Sequence, residues 1–245
     1  MGATRIEFRL RTAIMLSIIV LGFLSPWLWE TGDRIPLYAW LALTLNRLGL
    51  ISFGAAAPLT IGLATLFAAI AVIFRIWGTA YLGPAIVQHG QMRAGALLVG
   101  GPYRYVRNPL YIGLWSMTVA LVFLMPLTGA LFVLIAVPFF LMRLICGEEA
   151  FLTGQLGEPY QEYLRAVPRL LPRLRSTLPP SGVKPHWLRA ALFEITPIGV
   201  FSALAFFSWS YNSRLMAKVI LISFGLSLLM RAFAPSETQA TEAAS

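Results

Sequence analysis

One cysteine, two histidines and ten acidic residues are all that 245 positions hold of the groups from which disulfides, metal centres and acid–base machinery are usually built. Cys146 stands alone, so neither an intrachain disulfide nor a thiolate metal cluster within one chain is possible. His89 and His186 follow no HExxH or comparable spacing, and no metal site is expected. No G-x-G-x-x-G follows a strand, and there is no Walker lysine and no G-x-S-x-G, which excludes a soluble-type nucleotide-binding domain. Strand-like alternation, internal repeats and low-complexity segments are lacking as well.

Apolar residues fill the space. They make up 58% of the chain against 12% charged, and a mean hydropathy of +0.75 lies outside the range of soluble domains. The expectation is an all-α integral membrane protein. A span needs ~20 apolar residues, and about five are expected from six candidate stretches: Thr12–Trp29, Pro58–Leu82, two in the uncharged run Asn108–Met142 joined by a tight MPLTG turn, and the short pair Ile195–Tyr211 and Leu215–Met230. Residues 36–55, apolar but interrupted by Asn46 and Arg47, read as an interfacial helix. The first apolar run lacks an A-x-A-like cleavage site and is read as a retained anchor.

With each of these stretches crossing and the amino terminus inside, fifteen of the nineteen Lys and Arg residues fall on one side, as the positive-inside rule asks. The amino terminus and the polar blocks are therefore expected to be cytoplasmic, in a multi-pass membrane protein of the inner or plasma membrane if the source is bacterial. The net charge of +9 suits anionic headgroups of membrane lipids rather than nucleic acid, because the basic residues sit at helix ends. The pattern divides the chain into an amino-terminal anchor and interfacial helix (1–56), a middle unit (57–175), a linker (176–185), a carboxy-terminal helix pair (186–234) and a polar tail (235–245), the last expected to be disordered.

Two polar blocks abut the middle spans, GPYRYVRNPLYIG at Gly101–Gly113 and EEAFLTGQLGEPYQEYLRAVPRLLP at Glu148–Pro172. Ionisable groups beside hydrocarbon are costly without a use, so a site is expected where they meet. Asn108 and Pro109 suit an N-cap and a first helical residue. Arg104 and Arg107, with Tyr103, Tyr105 and Tyr111, add more than a helix start needs, and a basic helix N-terminus suits a carboxylate or phosphate. Gly157 should break the segment after Glu148, and Pro168 should end it. Arg143 and Glu148, five residues apart, lie about 140° apart on a straight helix. They should not pair unless Gly147 bends the chain, which leaves each free for a ligand.

The order of these blocks, with Arg143 and Glu148-Glu149 between them, resembles the isoprenylcysteine carboxyl methyltransferase and phospholipid methyltransferase superfamily of integral membrane enzymes, from about Arg75 to Pro172. The resemblance implies a cytoplasmic, helical S-adenosylmethionine site with a lipophilic or lipid-modified acceptor entering from the bilayer. Residue by residue, Leu98, Val99, Gly101 and Tyr103 match the loop that wraps the cofactor, and Arg107, Asn108, Pro109 and Tyr111 match the motif after it. Arg143 and Glu148 match a pair implicated in activity, with Glu149 beside them on the cofactor side. Asn108 stands where many members carry histidine, and its amide cannot titrate.

The implied function is S-adenosylmethionine-dependent methyl transfer at the cytoplasmic membrane face, foremost O-methylation of a carboxylate on an isoprenyl-type or other lipid. Arg107 and the backbone near Gly101 would hold the methionine end of the cofactor, Arg143 an anionic acceptor, and Glu148 the cofactor's cationic groups or Arg143 itself. N-methylation of a phospholipid amine, an NADPH-dependent membrane reductase of the sterol-reductase type, and a non-catalytic scaffold or transporter keeping the same core are the alternatives.

Overall fold

The computed structural model describes residues 2–27, 34–82, 100–176, 178–179 and 182–233. Leu98, Val99 and the polar tail lie outside the described residues. Ten α-helices are described: α1 (Arg5–Arg9), α2 (Arg11–Leu24), α3 (Leu37–Arg47), α4 (Phe53–Leu82), α5 (Pro109–Val122), α6 (Leu127–Leu156), α7 (Glu158–Ala166), α8 (Trp187–Phe193), α9 (Ile195–Ser210) and α10 (Ser213–Phe233), with a 3₁₀ turn at Gly101–Arg104 before α5. No strand forms among the described residues, and a single isolated bridge joins Pro36 to Pro126.

The all-α membrane architecture is as expected, but fewer helices reach full spanning length than the five read from hydropathy. α4, α6 and α10 are long and apolar enough to cross, and the bent pair α8–α9 makes a fourth if counted as one span. α2 and α5 have only 14 residues each, about 21 Å at 1.5 Å per residue against a hydrocarbon core of ~30 Å. α2 stops early because Ser25 precedes Pro26 and takes an extended ψ of 149°. α3, with 11 residues, does not cross either, and its first N–H groups lock onto the turn between α5 and α6: Leu37 donates to the Met125 carbonyl at 2.8 Å and Tyr38 to Phe123 at 2.9 Å.

Close approach between helices comes from small residues. The buried face of α4 carries Ala57, Ile61, Ala64, Ala68 and Ala71, spaced three and four apart, which lets backbones come near enough for van der Waals packing to replace the missing hydrophobic drive in lipid. α5 answers with Gly113, where a Cβ would stand 3.0 Å from the Ala71 carbonyl oxygen and 2.5 Å from Arg75 Cγ. α9 closes the same cluster, with Val200 and Leu204 packed on Ala68, Ala71, Met117 and Ala120. A second cluster joins α2 to α6 through Met15, Val133, Val137 and Leu144.

The helix directions gather one end of the molecule. α4 runs toward it, α5 starts from it, and α6 returns to it as a continuous 30-residue helix that passes through Gly147 without a break. At about 45 Å, α6 is longer than a hydrocarbon core of ~30 Å; Arg143 lies about 24 Å from its start and Glu148 and Glu149 more than a turn further on, toward its polar end. The expected two helices of this run are present, but the second extends well past Met142. The break comes at Gly157, whose φ of +63° ends α6 and opens α7. α7 ends at Ala166, and Val167 is extended (φ −116°, ψ 132°), as a residue before proline should be.

Candidate active site

The two polar blocks fold into one unit at this end. The Arg107 N–H donates to the Pro168 carbonyl at 2.9 Å and the Arg173 N–H to Tyr105 at 3.0 Å. The Tyr163 hydroxyl donates to the Tyr103 carbonyl at 2.9 Å, and the Arg104 guanidinium reaches the Leu178 carbonyl through Nε at 3.1 Å and Nη2 at 2.6 Å. Segments some sixty residues apart in sequence are thereby held edge to edge.

Glu149 is the hub of this unit. Its side chain is 10% exposed and takes Arg107 Nη1 at 3.0 Å and Arg169 Nη2 at 2.6 Å. Arg107 is further engaged by the Val167 carbonyl, at 2.6 Å from Nε, and by the Leu164 carbonyl. A guanidinium has five N–H groups, and three nitrogens of Arg107 already donate within the protein. The role expected for Arg107, holding the methionine end of a cofactor, thus falls on a side chain that the fold has largely engaged. Asn108 occupies the N-cap position of α5 without capping through its side chain; its amide donates instead to the Arg169 carbonyl at 3.1 Å. Pro109 is the first residue of α5, as expected.

Gly101 has φ +50°, a conformation that side-chain-bearing residues rarely adopt, and a Cβ there would be built into the Tyr81 ring. Tyr103 beside it is buried, with its hydroxyl directed to the Gly78 carbonyl at 3.5 Å. Burial holds the Tyr103 and Tyr163 phenols above their ordinary range, and burial followed by the charges of Glu149 and Glu148 pushes Tyr160 up to about 12. These tyrosines are neutral donors and packing surfaces near pH 7, not bases.

Arg143 and Glu148 do not pair with each other, as their spacing on a straight helix requires. Arg143 is held by Glu7 of α1, with Nη2 at 2.9 and 2.8 Å from the two carboxylate oxygens. Glu148 makes no ion pair among the described residues and is half-buried on the turn of α6 that also carries Glu149.

Three participants escaped the sequence reading. Glu7 is the only acidic residue in the first 29, and Glu194 the only one between Glu162 and Glu237. A lone carboxylate beside an apolar run was the available signal for both. Glu194, with 1% of its side chain exposed, takes Arg75 Nε at 2.5 Å and the Thr79 hydroxyl at 2.7 Å. Arg169 could be found only through its distance-independent link to Glu149, which no spacing announces.

The fold and this helix-end cluster define an all-α integral membrane protein with a charged, tyrosine-rich site at one end. Residues 59–158, from α4 to the start of α7, match the family model of phospholipid methyltransferases. The protein-S-isoprenylcysteine O-methyltransferase of Schizosaccharomyces pombe is 30% identical over 122 residues, a match covering 41% of this chain and 51% of that protein, so the chain matches about half of its relative's length. No solved structure matches. Both matches fall on the middle of the chain, and over that region it is similar to phospholipid methyltransferases and to an isoprenylcysteine O-methyltransferase, which supports the resemblance read from the two polar blocks.

Proposed function

We propose that this protein is an S-adenosylmethionine-dependent methyltransferase that O-methylates a carboxylate on a lipophilic acceptor, such as an isoprenylated cysteine, at the cytoplasmic membrane face. The observation that carries the proposal is the superfamily match over α4–α6, together with the placing of Arg143, Glu148 and the Gly101–Tyr111 block at the same end of the fold.

The residues present fit such a cofactor. Glu148 and the Tyr111 hydroxyl offer acceptors for a cationic group, and Tyr103, with Tyr81 packed against Gly101, gives an aromatic wall. Leu98 and Val99 are assigned to the same site by the resemblance. When bound, S-adenosylmethionine supplies a methyl group already activated on a sulfonium, so the chain has to hold, orient and exclude water. Arg143 is placed to hold the acceptor carboxylate through a two-pronged guanidinium contact. A carboxylate, with a pKa near ~4, reaches the site ionised and needs no base, which agrees with a site whose tyrosines stay protonated and whose Glu149 is taken up by two arginines. Arg107, Glu149 and Asn108 then act as positioning residues that fix α7 against α5.

The family model favours one second reading, N-methylation of a phospholipid amine, for which Glu148, in no ion pair among the described residues, is the carboxylate that would receive a proton. Calorimetric titration of the detergent-purified protein with S-adenosylmethionine and with NADPH, repeated on Glu148→Gln, tests the cofactor. Labelled methyl transfer to an S-prenylated N-acetylcysteine and to phosphatidylethanolamine tests the acceptor. Saturable S-adenosylmethionine binding weakened by Glu148→Gln, with label in the cysteine acid, is expected. Label in the amine instead would replace the acceptor, and binding of NADPH alone would overturn the methyltransferase reading.

A further inference from the structure

Arg143 is already bound to a carboxylate. Glu7 grips its guanidinium with three contacts, Nε–Oε1 3.2 Å, Nη2–Oε1 2.9 Å and Nη2–Oε2 2.8 Å, a forked arrangement like the one a substrate carboxylate would make. Glu7 lies on α1, outside the segment that matches the superfamily, and its orientation is set locally as well: Thr4 N–H donates to its Oε2 at 2.6 Å while the Thr4 hydroxyl accepts from Glu7 N–H at 3.2 Å. This capping box holds the carboxylate in shape whether or not Arg143 is present.

The docking of this segment is shallow. The Ala3 N–H donates to the Arg143 carbonyl at 2.8 Å, and the backbone of Gly2 and Ala3 lies against Gly147, where a Cβ would stand 3.0 Å from the Ala3 nitrogen. Ala3 and Phe8 also pack on the α2–α6 cluster, but Ile6 and Leu10 are 71% and 49% exposed, and the ion pair keeps 25% and 29% of its side chains accessible. A five-residue helix is too short to hold itself together, and a half-exposed ion pair adds little. The helix is interrupted at Leu10 (φ −95°, ψ 9°), which ends α1 and precedes α2, so α1 can part from α6 while α2 keeps its own hydrogen bonds. Arg11 at the start of α2 lies over the Phe8 ring, 4.6 Å from its centroid. The amino-terminal segment therefore sets a carboxylate on Arg143, the kind of charge that the acceptor would bring.

We propose that Arg143 is the carboxylate subsite for the acceptor and that Glu7 occupies it in the acceptor-free protein, so that α1 is an internal competitor which an incoming carboxylate displaces. The proposal rests on the methyltransferase reading and assigns the acceptor side of its site. Displacement exchanges one carboxylate for another on the same guanidinium, so the charge of the site is unchanged and the selectivity lies in which carboxylate is held there.

Kinetics with an S-prenylated N-acetylcysteine on the full chain test it. Removing the competitor in Glu7→Gln should lower KM for this acid about three- to tenfold, the factor by which partial occupancy weakens apparent binding, without lowering kcat. Gly147→Ala, which crowds Ala3 and leaves every charge in place, should shift KM the same way. In an Arg143→Ala background, Glu7→Gln should have no further effect on KM. Amide exchange supplies a readout that needs no turnover: the acid should speed exchange at residues 3–10, and its methyl ester should not. A higher KM or lower kcat in Glu7→Gln would make Glu7 a fixed partner that positions Arg143 and overturn the proposal, as would unchanged exchange with the acid. Release of α1 by the acid in a protein that transfers no methyl group would keep the subsite and sink the enzyme reading instead.

Discussion

At the scale of single residues, the charges of the site are mostly neutralised before any ligand arrives, and each does so by a different route. Glu149 shares its two oxygens between Arg107 and Arg169; Glu7 works at the rim, where water competes. The Arg143 guanidinium hydrogen-bonded to it, with Thr4 N–H second, holds the Glu7 carboxyl at about 2, below its ordinary 4.5. A lowered folded value means that the contribution of this pair to docking α1 is complete above about 4.5 and is lost as the pH falls from there toward 2. Amide exchange at residues 5–10, corrected for its intrinsic pH dependence, should therefore be flat between pH 8 and pH 5 and should rise below about 4.5 in the wild type. Glu7→Gln should show faster exchange throughout and no step. A step near neutral pH in the wild type would mean that some other group docks α1.

At the scale of elements, the helices follow from local chemistry that the sequence displays, and the site follows from tertiary contacts that it does not. Pro109 begins α5, Gly157 ends α6, and Val167 turns extended before Pro168, each for steric reasons legible in two or three letters. Helix lengths were less legible. Hydropathy ran on past Leu24 and began α4 at Pro58, whereas the helix starts at Phe53 with Pro58 inside it; apolar character reports burial in lipid or protein and says nothing of where hydrogen bonding stops. The residue types of the site could be read, but their pairings could not: that Arg143 meets Glu7 rather than a ligand depends on α2 packing along α6. Gly101 belongs to the kind that only the fold explains, because its positive φ and its contact with the Tyr81 ring call for the one residue without a Cβ. Gly101→Ala should cost about 1–3 kcal/mol in thermal unfolding. It should also move Tyr81 from its edge-on contact with Trp187, whose ring centroid is 6.2 Å away, which an altered Trp187 fluorescence would report. Full stability with unchanged fluorescence would show that the loop relaxes without Tyr81.

At the scale of the whole molecule, the carboxy-terminal helices, which lie outside the superfamily match, are joined to the core by a buried charge. Glu194, at the bend between α8 and α9, takes Arg75 of α4 on both oxygens and Thr79 on one, and the Arg75 stem lies over Gly113 of the first polar block. A buried pair of this kind is weak evidence for stability, since desolvating two ions offsets much of their attraction, while losing one partner strands the other. Glu194→Ala should therefore destabilise the protein by about 3 kcal/mol, seen as a lower unfolding midpoint in detergent, and Arg75→Met with Glu194→Met together should recover most of the loss. The separation of roles comes from cofactor binding in the same variants. If the pair serves only to join α9 to α4, the double variant should bind S-adenosylmethionine like the wild type once its stability returns. If it also sets the position of α5 through Gly113, binding should stay weakened although the fold is restored, because a methionine side chain fills the space of Arg75 without the carboxylate that fixes where its stem lies. The second outcome is expected: Gly113 leaves no slack at this crossing, so a change in the Arg75 stem is passed directly to the helix that begins with Asn108 and Pro109.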